Sequence, residues 1–337
     1  MRIWSYIFKR LLSIIPVFLG VTILTFSIAN VIPGDPVTLA LGHRASDDQK
    51  NVFREKMGMD KPIIIRYGMY LKNLSRGDLG VSLRTKRPVL KDLLTYFPAT
   101  LELTVSALAI SLLFGIPLGI ISAVKKDKPV DHATRVFALL GVSMPIFWLG
   151  FMLLILLYMA FPIFPGGGRL SLATTTPQTI TGLYTIDSLL SGNWGALKDA
   201  IWHLILPAAT LGFCYVAVIS RMTRSSMLEV LRQDYIRTAK TKGLSESGII
   251  RHHALRNSII PVVTVSGALL GQLMSGSVLA ETVFNWPGIG LYAVQSIIFL
   301  DFNAIIGFTI VVSFAYVMAN FVVDILYVII DPRIKLQ

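Results

Sequence analysis

Apolar residues gather along this chain in long runs that shorter polar segments separate. A helix needs about 20 apolar residues to cross a hydrocarbon core of about 30 Å. Six stretches reach that length, and they cover residues 11–31, 103–124, 136–164, 201–220, 259–280 and 304–330. Because a spanning β-strand needs only about 10 residues, these lengths indicate helices. The pattern predicts an all-α polytopic membrane protein with six transmembrane helices.

Composition agrees with this class of protein. Hydrophobic residues make up 54% of the chain and charged residues only 15%, which is too apolar for a soluble chain of 337 residues. All 31 Lys and Arg residues lie outside the six stretches. The first stretch has about 21 apolar residues, longer than the apolar core of a secretory signal, so we interpret it as a retained helix.

The placement of Lys and Arg also predicts an orientation. The N-terminal residues, the loop 125–135, the segment 221–258 and the C-terminal tail are basic and fall on one side. The two short loops on the other side carry only Arg169 and Lys198. The positive-inside rule therefore places both termini in the cytoplasm. The net charge of +12 then reflects topology, and we expect no nucleic-acid partner.

Residues 32–98 lie outside the membrane in this topology and are expected to form a small extracytoplasmic insertion. Ser46 and Gln49 have the spacing of a capping box, and Pro62 can open a second helix toward Leu74. Alternation over 79–83 predicts a short strand. Residues 89–97 form an amphipathic stretch, expected to lie along the membrane surface before Pro98.

Residue types give little support for catalysis. The five histidines are scattered, and none joins acids or the single cysteine, Cys214, at metal-ligand spacing. The chain has no G-x-x-x-x-G-K-[ST] phosphate loop, so ATP would have to be bound by another polypeptide, and we expect no cofactor here. An intramembrane protease built on Ser275 and His203 would rest on residue type alone.

Three acidic residues fall within or at the ends of the spans. Glu102 and Glu281 lie near the outer interface, where we expect water to reach them. Asp324 is deeper, and a charge there normally faces protein or a wet cavity. We favour a packing hydrogen bond for Asp324 over proton coupling, because the sequence offers no second deep ionisable residue to complete a relay.

The segment 221–258 differs from the other loops. It holds eight Lys or Arg residues and three acids. Ser226–Glu229 has the spacing of a capping box, helix-forming residues follow to Lys242, and Gly243 suits a left-handed turn. A second helical stretch follows over 249–255. Two short helices joined at a glycine form a compact knob on which a partner can dock; the alternative is a solvated basic hairpin that only sets topology.

These residues resemble the membrane permeases of ATP-binding-cassette importers. The coupling loop of those proteins carries Glu-Ala-Ala, three residues and then Gly. The equivalent positions here are Arg237, Thr238, Ala239 and Gly243, so the glycine spacing and second alanine are kept and the glutamate is not. This form is similar to one branch, the dipeptide/oligopeptide permease family.

The resemblance to that branch runs from end to end. Its signature stretches include Gly77-Asp-Leu-Gly80 and Trp286-Pro-Gly-Ile-Gly290. The others are Ile32–Pro36, Met57–Pro62, Phe97–Leu103, Ser143–Gly150, Arg221–Leu231, Asp234–Ala239, His253–Asn257 and Asp331–Arg333. One departure is Asp301-Phe-Asn303, where relatives often have Arg-Asp-x-Pro.

The resemblance implies a type I importer permease fold in a bacterial inner membrane. The expected domains are a helix at 1–31, the insertion 32–98, a five-helix core 99–330 that contains the coupling loop 221–258, and a tail 331–337. The expected partners are a second homologous permease subunit, two ATPase subunits that bind ATP, an extracytoplasmic peptide-binding protein and the lipid bilayer.

The resemblance also assigns residues. ATPase coupling is expected at Arg237, Thr238, Ala239, Lys242, Gly243 and Leu244. Contact with the binding protein is expected at Asp78, Trp286 and Asp301. A pore or packing role is expected at Ser143, Pro145, Gln272, Ser275 and Asp324.

The substrate is the least determined feature. Related systems carry dipeptides, longer peptides, nickel, glutathione or oligosaccharides, and similarity along the last two helices favours a short peptide. A secondary transporter or channel that works alone is the competing class, and the shortage of deep charges argues against it.

Overall fold

The computed structural model describes the backbone of residues 3–31, 46–56 and 60–330. Within these ranges, side chains are described except at 3–11, 29–31, 53, 54, 56, 275, 276, 324 and 326–330. The predicted tail 331–337 and the start of the predicted insertion therefore lie outside the described residues. So does the side chain of Asp324.

The described chain is helical. Its elements are α1 (Ile3–Val31), α2 (Asp47–Lys56), α3 (Ile63–Ser75), α4 (Val89–Val124), α5 (Pro129–Ser143), α6 (Ile146–Leu154), α7 (Tyr184–Leu190), α8 (Trp194–Leu231), α9 (Asp234–Thr241), α10 (Glu246–Gly248), α11 (Leu255–Val283), α12 (Ile289–Ile298) and α13 (Phe302–Ile330). Two π-helical turns, Ile155–Ala160 and Ile249–Ala254, continue α6 and join α10 to α11.

Four helices are long and apolar enough to cross a membrane: α4, α8, the stretch Glu246–Met274 and the stretch Phe302–Val323. A fifth span is possible if α5 and the helix Ile146–Ala160 act together, although they meet at an angle of 101°. The described side chains of α1 give a shorter apolar stretch, Leu12–Ile28. These elements coincide with the six predicted runs, and the count of six spans stays a prediction.

Two predicted boundaries are wrong. The stretch 89–97 does not end before Pro98, because α4 continues through Pro98 and Pro117. Ser226 does not begin a helix, because it lies inside α8 and is only 8% exposed. Inside a helix, the backbone amides already bond carbonyls of the preceding turn, so Ser226 has no free amides to cap. Apolar helices tolerate proline where neighbouring groups bond the carbonyl that proline leaves free.

Contacts divide the chain into two units. The core unit comprises Tyr96–Leu291 and the chain from Ala315 onward. At its centre α8 packs against α5, α6, α7 and α11. The approach of α4 to α8 is close: a Cβ atom placed on Gly119 would lie 2.5 Å from Cβ of Thr223, and one on Gly115 would lie 2.7 Å from Cβ of Ile219. Small residues thus allow dispersion contacts between the two helices, as is usual in membranes.

The second unit comprises Trp4–Thr95 and Tyr292–Phe314. In it, the hydroxyls of Thr22 and Thr25 on α1 bond the phenols of Tyr67 and Tyr70 on α3, at 2.9 and 3.2 Å. The predicted capping box of α2 is confirmed, since Ser46 and Gln49 exchange backbone-to-side-chain hydrogen bonds of 3.0 and 3.3 Å.

Pro62 precedes α3 as predicted. The short strand predicted over 79–83 is wrong: the described residues there form only an isolated bridge between Val81 and Pro88. The alternating apolar residues of this segment therefore lie in a loop and turn, and not in a strand.

Candidate functional site

The predicted coupling segment forms a hairpin whose turn is centred on Gly243. Gly243 has φ of +76°, as predicted, and its amide donates to the carbonyl of Lys240 at 3.0 Å. The amide of Leu244 donates to the carbonyl of Ala239 at 3.3 Å. These two bonds form a Schellman motif, which closes the C-terminus of α9 and favours glycine at the left-handed position.

The other arm of the hairpin begins directly after this turn. The hydroxyl of Ser245 accepts a hydrogen bond of 3.3 Å from the amide of Gly248, so it caps α10. From Glu246 the chain is helical through the π turn and into α11. The hairpin is therefore one short helix folded back on the start of a long one.

A hydrophobic base fixes α9. Ile236 and Ala239 lie on one face of α9 and are 0% and 6% exposed. They pack in one buried cluster with Ala123 at the end of α4, Met227 near the end of α8, and two residues of the π turn, Ile249 and Ala254. Because close-packed side chains do not compress, displacement of α9 must move the ends of these helices with it.

The opposite face of α9 and its turn are exposed to solvent. Of the residues assigned to coupling, Arg237, Thr238, Lys242, Gly243 and Leu244 are exposed. Ala239 instead belongs to the buried base, so its role is to hold α9 in place. Arg237 forms an exposed ion pair of 3.6 Å with Asp234. The surface offered to a partner is basic, with an apolar tip at Leu244.

Near the base of α9, a buried carboxylate links the ends of three helices, α4, α5 and α8. Asp131, at the first turn of α5, is 0% exposed. Its two oxygens accept hydrogen bonds from Nε and Nη2 of Arg224 on α8, at 2.9 and 2.8 Å, and it also binds the hydroxyl of Ser122 on α4. This bidentate pair fixes the relative position of three helices. The sequence reasoning missed it, because both residues count there only as polar loop positions.

A second buried ion pair lies elsewhere in the core unit. Nη2 of Arg169 is 2.6 Å from Oε2 of Glu102, and these side chains are 7% and 5% exposed. Oε1 of Glu102 accepts from the amide and hydroxyl of Thr185, at 2.8 and 2.7 Å. The guanidinium also stacks 3.6 Å from the ring centroid of Tyr184. The loop after α6 is thus fastened to α4.

Glu281 is buried as well. It is 0% exposed, and its oxygens accept from the hydroxyl of Thr100 at 2.7 Å and the amide of Leu291 at 3.0 Å. The predicted access of water to Glu102 and Glu281 is therefore wrong. The sequence did contain a sign that Glu102 is paired. Glu102 and Arg169 carry opposite charges, and the predicted topology places both on the outer side of the membrane.

The residues assigned to the binding protein differ in exposure. Asp78 is exposed, and one of its oxygens accepts from the amide of Gly80 at 2.9 Å. Trp286 is 1% exposed and donates from Nε1 to the carbonyl of Ala99 at 2.8 Å. Asp301 is 0% exposed and accepts from Ser82. The structure thus corrects two assignments: the side chains of Trp286 and Asp301 present no surface to a partner.

The residues assigned to the pore come from different elements of the core unit. Ser143 and Pro145 lie at the sharp bend between α5 and α6, where proline prevents the helix from continuing. Gln272 is an exposed amide on α11. The side chains of Ser275 and Asp324 lie outside the described residues.

Asp187 organises the loop before α8. Burial alone raises the pKa of its carboxyl, but hydrogen bonds from Thr181, Ile180 and Gly182 outweigh that effect, so the pKa lies below its ordinary value. The amides of Thr181 and Gly182 donate to it at 2.7 and 2.9 Å. The loop that carries Arg169 is therefore itself anchored by a charged acceptor.

The fold defines a polytopic membrane protein with a solvent-exposed hairpin at one end of its core unit. Two family models match: "binding-protein-dependent transport system inner membrane component" over residues 115–336, and the N-terminal component of the same system over residues 3–104. The chain belongs to this family of importer permeases, which are transport subunits whose ATPase activity resides in separate subunits.

Full-length relatives agree with this assignment. The chain is 49% identical to the probable D,D-dipeptide transport system permease protein DdpB of Escherichia coli strain K12, over 99% of this chain and 98% of that protein. It is 44% identical to the dipeptide transport system permease protein DppB of Alkalihalophilus pseudofirmus, over 98% and 99%. It is 36% identical to the oligopeptide transport system permease protein AppB of Bacillus subtilis, over 98% and 99%.

A solved structure gives the same fold at low sequence identity. An inward-facing form of the MetNI methionine ABC transporter matches with a TM-score of 0.50 and 15% identity, over 69% of this chain and 93% of that chain. This likeness supports the type I importer permease fold. Its membership of the family, and not this likeness, makes the chain an inner-membrane component that works with ATPases and a substrate-binding protein.

Proposed function

We propose that this chain is one of two homologous permease subunits of an importer for dipeptides and other short peptides, in which it forms half of the translocation pore. The relatives above support the substrate class, because their names specify D,D-dipeptides, dipeptides or oligopeptides and they align over almost the whole chain.

The observation that carries the mechanism is the two-sided character of α9. One side is exposed and basic, at Arg237 and Lys242, and suits a partner surface. The other side, at Ile236 and Ala239, is buried against the ends of long helices. A motion of an ATPase that holds the exposed side therefore becomes a rigid-body motion of the helices that line the pore.

The proposed assembly contains two ATPase subunits beneath the membrane and a peptide-binding protein outside it. ATP is bound by the ATPases, because this chain has no phosphate loop. Both termini and the hairpin face the cytoplasm of a bacterial cell, in keeping with the distribution of Lys and Arg. Asp78 is the exposed residue that we assign to contact with the binding protein. No nucleic acid and no cofactor of this chain take part.

ATPase rates of the reconstituted assembly test the substrate. The binding protein is added empty, or loaded in separate arms with an L,L-dipeptide, a D,D-dipeptide, glutathione, nickel or an oligosaccharide. We expect stimulation by a dipeptide, because a loaded binding protein can stimulate only through higher affinity for the conformation that brings the ATPases together.

The controls separate substrate from mechanism. This chain alone should hydrolyse no ATP. Stimulation by nickel, glutathione or sugar but not by peptide would keep the importer and replace the substrate. Uptake into vesicles that lack the ATPases would contradict the importer mechanism itself and favour a transporter that works alone.

A further inference from the structure

A cavity of about 320 Å³ opens in the core unit where α4 ends beside α5 and α8. Three arginines line it: Arg135 on α5, and Arg221 and Arg224 on α8. Four hydroxyl-bearing side chains and the apolar residues Ala138 and Leu139 complete the wall. The cavity is separate from the exposed face of α9 described above.

The charges around this cavity favour an anion. Asp131 neutralises Arg224 through two hydrogen bonds and lies 3.8 Å from Nε of Arg135. Asp127 also acts on Arg224, but its carboxylate lies 3.5 Å from Nζ of Lys126. One buried carboxylate among three guanidinium groups leaves an excess of positive charge. Arginine donors beside hydroxyls match the oxygens of a phosphate.

The surface beside the cavity indicates that the ligand also has an apolar part. The face of α5 beside the cavity is exposed and apolar: Val136, Leu139 and Val142 are 59%, 64% and 52% exposed. The cavity also lies where the apolar runs 103–124 and 201–220 end, at the level of a membrane surface. An occupant that satisfies both features has an anionic head and an apolar tail.

We propose that this cavity binds the headgroup phosphate of an anionic phospholipid, whose acyl chain lies along the apolar face of α5. Basic pockets between membrane helices on the cytoplasmic side suit such headgroups. The leaflet assignment rests on the proposed function, which places this end of α8 and the hairpin in the cytoplasm. The headgroup would contact α5 and α8 together, close to the base that holds α9.

Native mass spectrometry of the complete complex tests the site. The detergent-solubilised complex is titrated with phosphatidylglycerol and, separately, with phosphatidylcholine. Arg135→Gln and Arg221→Gln remove two arginines and leave Arg224 paired with Asp131, and Arg256→Gln removes an exposed arginine that does not line the cavity. Each cavity variant should weaken binding of phosphatidylglycerol about fivefold, which corresponds to the ~1 kcal/mol typical of one basic residue near a membrane surface.

The outcomes separate the possible ligands. Selective retention of phosphatidylglycerol that falls in both cavity variants, and not in Arg256→Gln, supports the proposal. Equal retention in all four proteins overturns it. Displacement of the lipid by inorganic phosphate in excess also overturns it, in favour of a free phosphate site. Peptide-stimulated ATPase activity of the same preparations tests the proposed function independently. Failure of the lipid-binding prediction can therefore be distinguished from failure of the proposed function.

Discussion

Gly243 is the residue on which the geometry of the hairpin depends. Its φ of +76° lies in the left-handed region, and a Cβ atom there would meet nothing within 4 Å. Substitution is therefore opposed by the backbone conformation alone and not by crowding. A β-branched residue in this conformation costs of order 1–3 kcal/mol, which the turn can avoid only by changing direction.

We expect Gly243→Val to abolish transport while insertion into the membrane stays normal, because the turn redirects α9 away from its partner. Gly243→Asn should keep most activity, since asparagine tolerates the left-handed region. Gly192→Val is a matched control: Gly192 has φ of +68°, equally open surroundings and a position between α7 and α8. Uptake assays on reconstituted vesicles compare the three; equal uptake by both valine variants would contradict a special role for Gly243.

The stability of the loop around Asp187 is expected to depend on pH. Its pKa is lower in the folded protein than in the unfolded chain, where it is about 3.9. The carboxylate therefore stabilises the loop above pH 4, and this stabilisation is lost as the pH falls through the folded pKa. Hydrogen exchange should show faster exchange at Thr181 and Gly182 in Asp187→Asn at neutral pH. The difference from wild type should shrink as the pH falls below about 4; a constant difference would contradict the assignment.

At the scale of elements, buried ion pairs fasten helices and loops that sequence distance separates. Asp131 and Arg224 join α5 to α8, and Glu102 and Arg169 join α4 to the loop after α6. Such pairs are poor evidence for net stability, because desolvation offsets their attraction. They do specify position, since one member left alone is a buried unpaired charge.

The Glu102–Arg169 pair can be tested by a double-mutant cycle. Glu102→Gln and Arg169→Met should each lower the stability of the purified complex by about 3–5 kcal/mol, because each leaves an uncompensated buried group. The double variant should lose less than the sum of the two, since no charge then remains unpaired. Thermal unfolding monitored at equal detergent concentration measures all four proteins. Additive losses would show that the two side chains act independently.

The α4–α8 contact is held by close packing and not by an ion pair. Its close approach depends on small residues at Gly115 and Gly119, which are four positions apart and lie on one face of α4. Both helices continue past this contact toward the base of α9. The helix ends that hold the base of α9 are therefore packed backbone against side chain.

At the scale of the whole molecule, topology is the central prediction. The charge pattern places the hairpin inside the cell and the loop after α6 outside. Ser226 is a poor labelling position because it is buried, whereas Ser247 and Thr176 are exposed. In a Cys214→Ser background, Ser247→Cys should react with a membrane-impermeant thiol reagent only after the cells are opened. Thr176→Cys should react in intact cells, and the reverse pattern would invert the topology.

The class of protein, the positions of the apolar runs and the family can all be read from the residues in order along the chain. These properties follow from local composition, because a helix in lipid must be long and apolar and must satisfy its own backbone. The turn at Gly243 and the cap at Ser46 were also readable, since each depends on residues within a few positions of one another.

The surroundings of the polar residues in and near the spans can be read only from the fold. Glu102, Glu281, Trp286 and Asp301 look accessible in the sequence, yet all four are buried, because partners 10 to 219 residues away satisfy them. The continuous helices through Pro98 and Ser226 have the same origin: packing and long apolar context outweigh local stop and start signals. Burial depends on which segments meet, and a sequence read along one dimension does not contain that information.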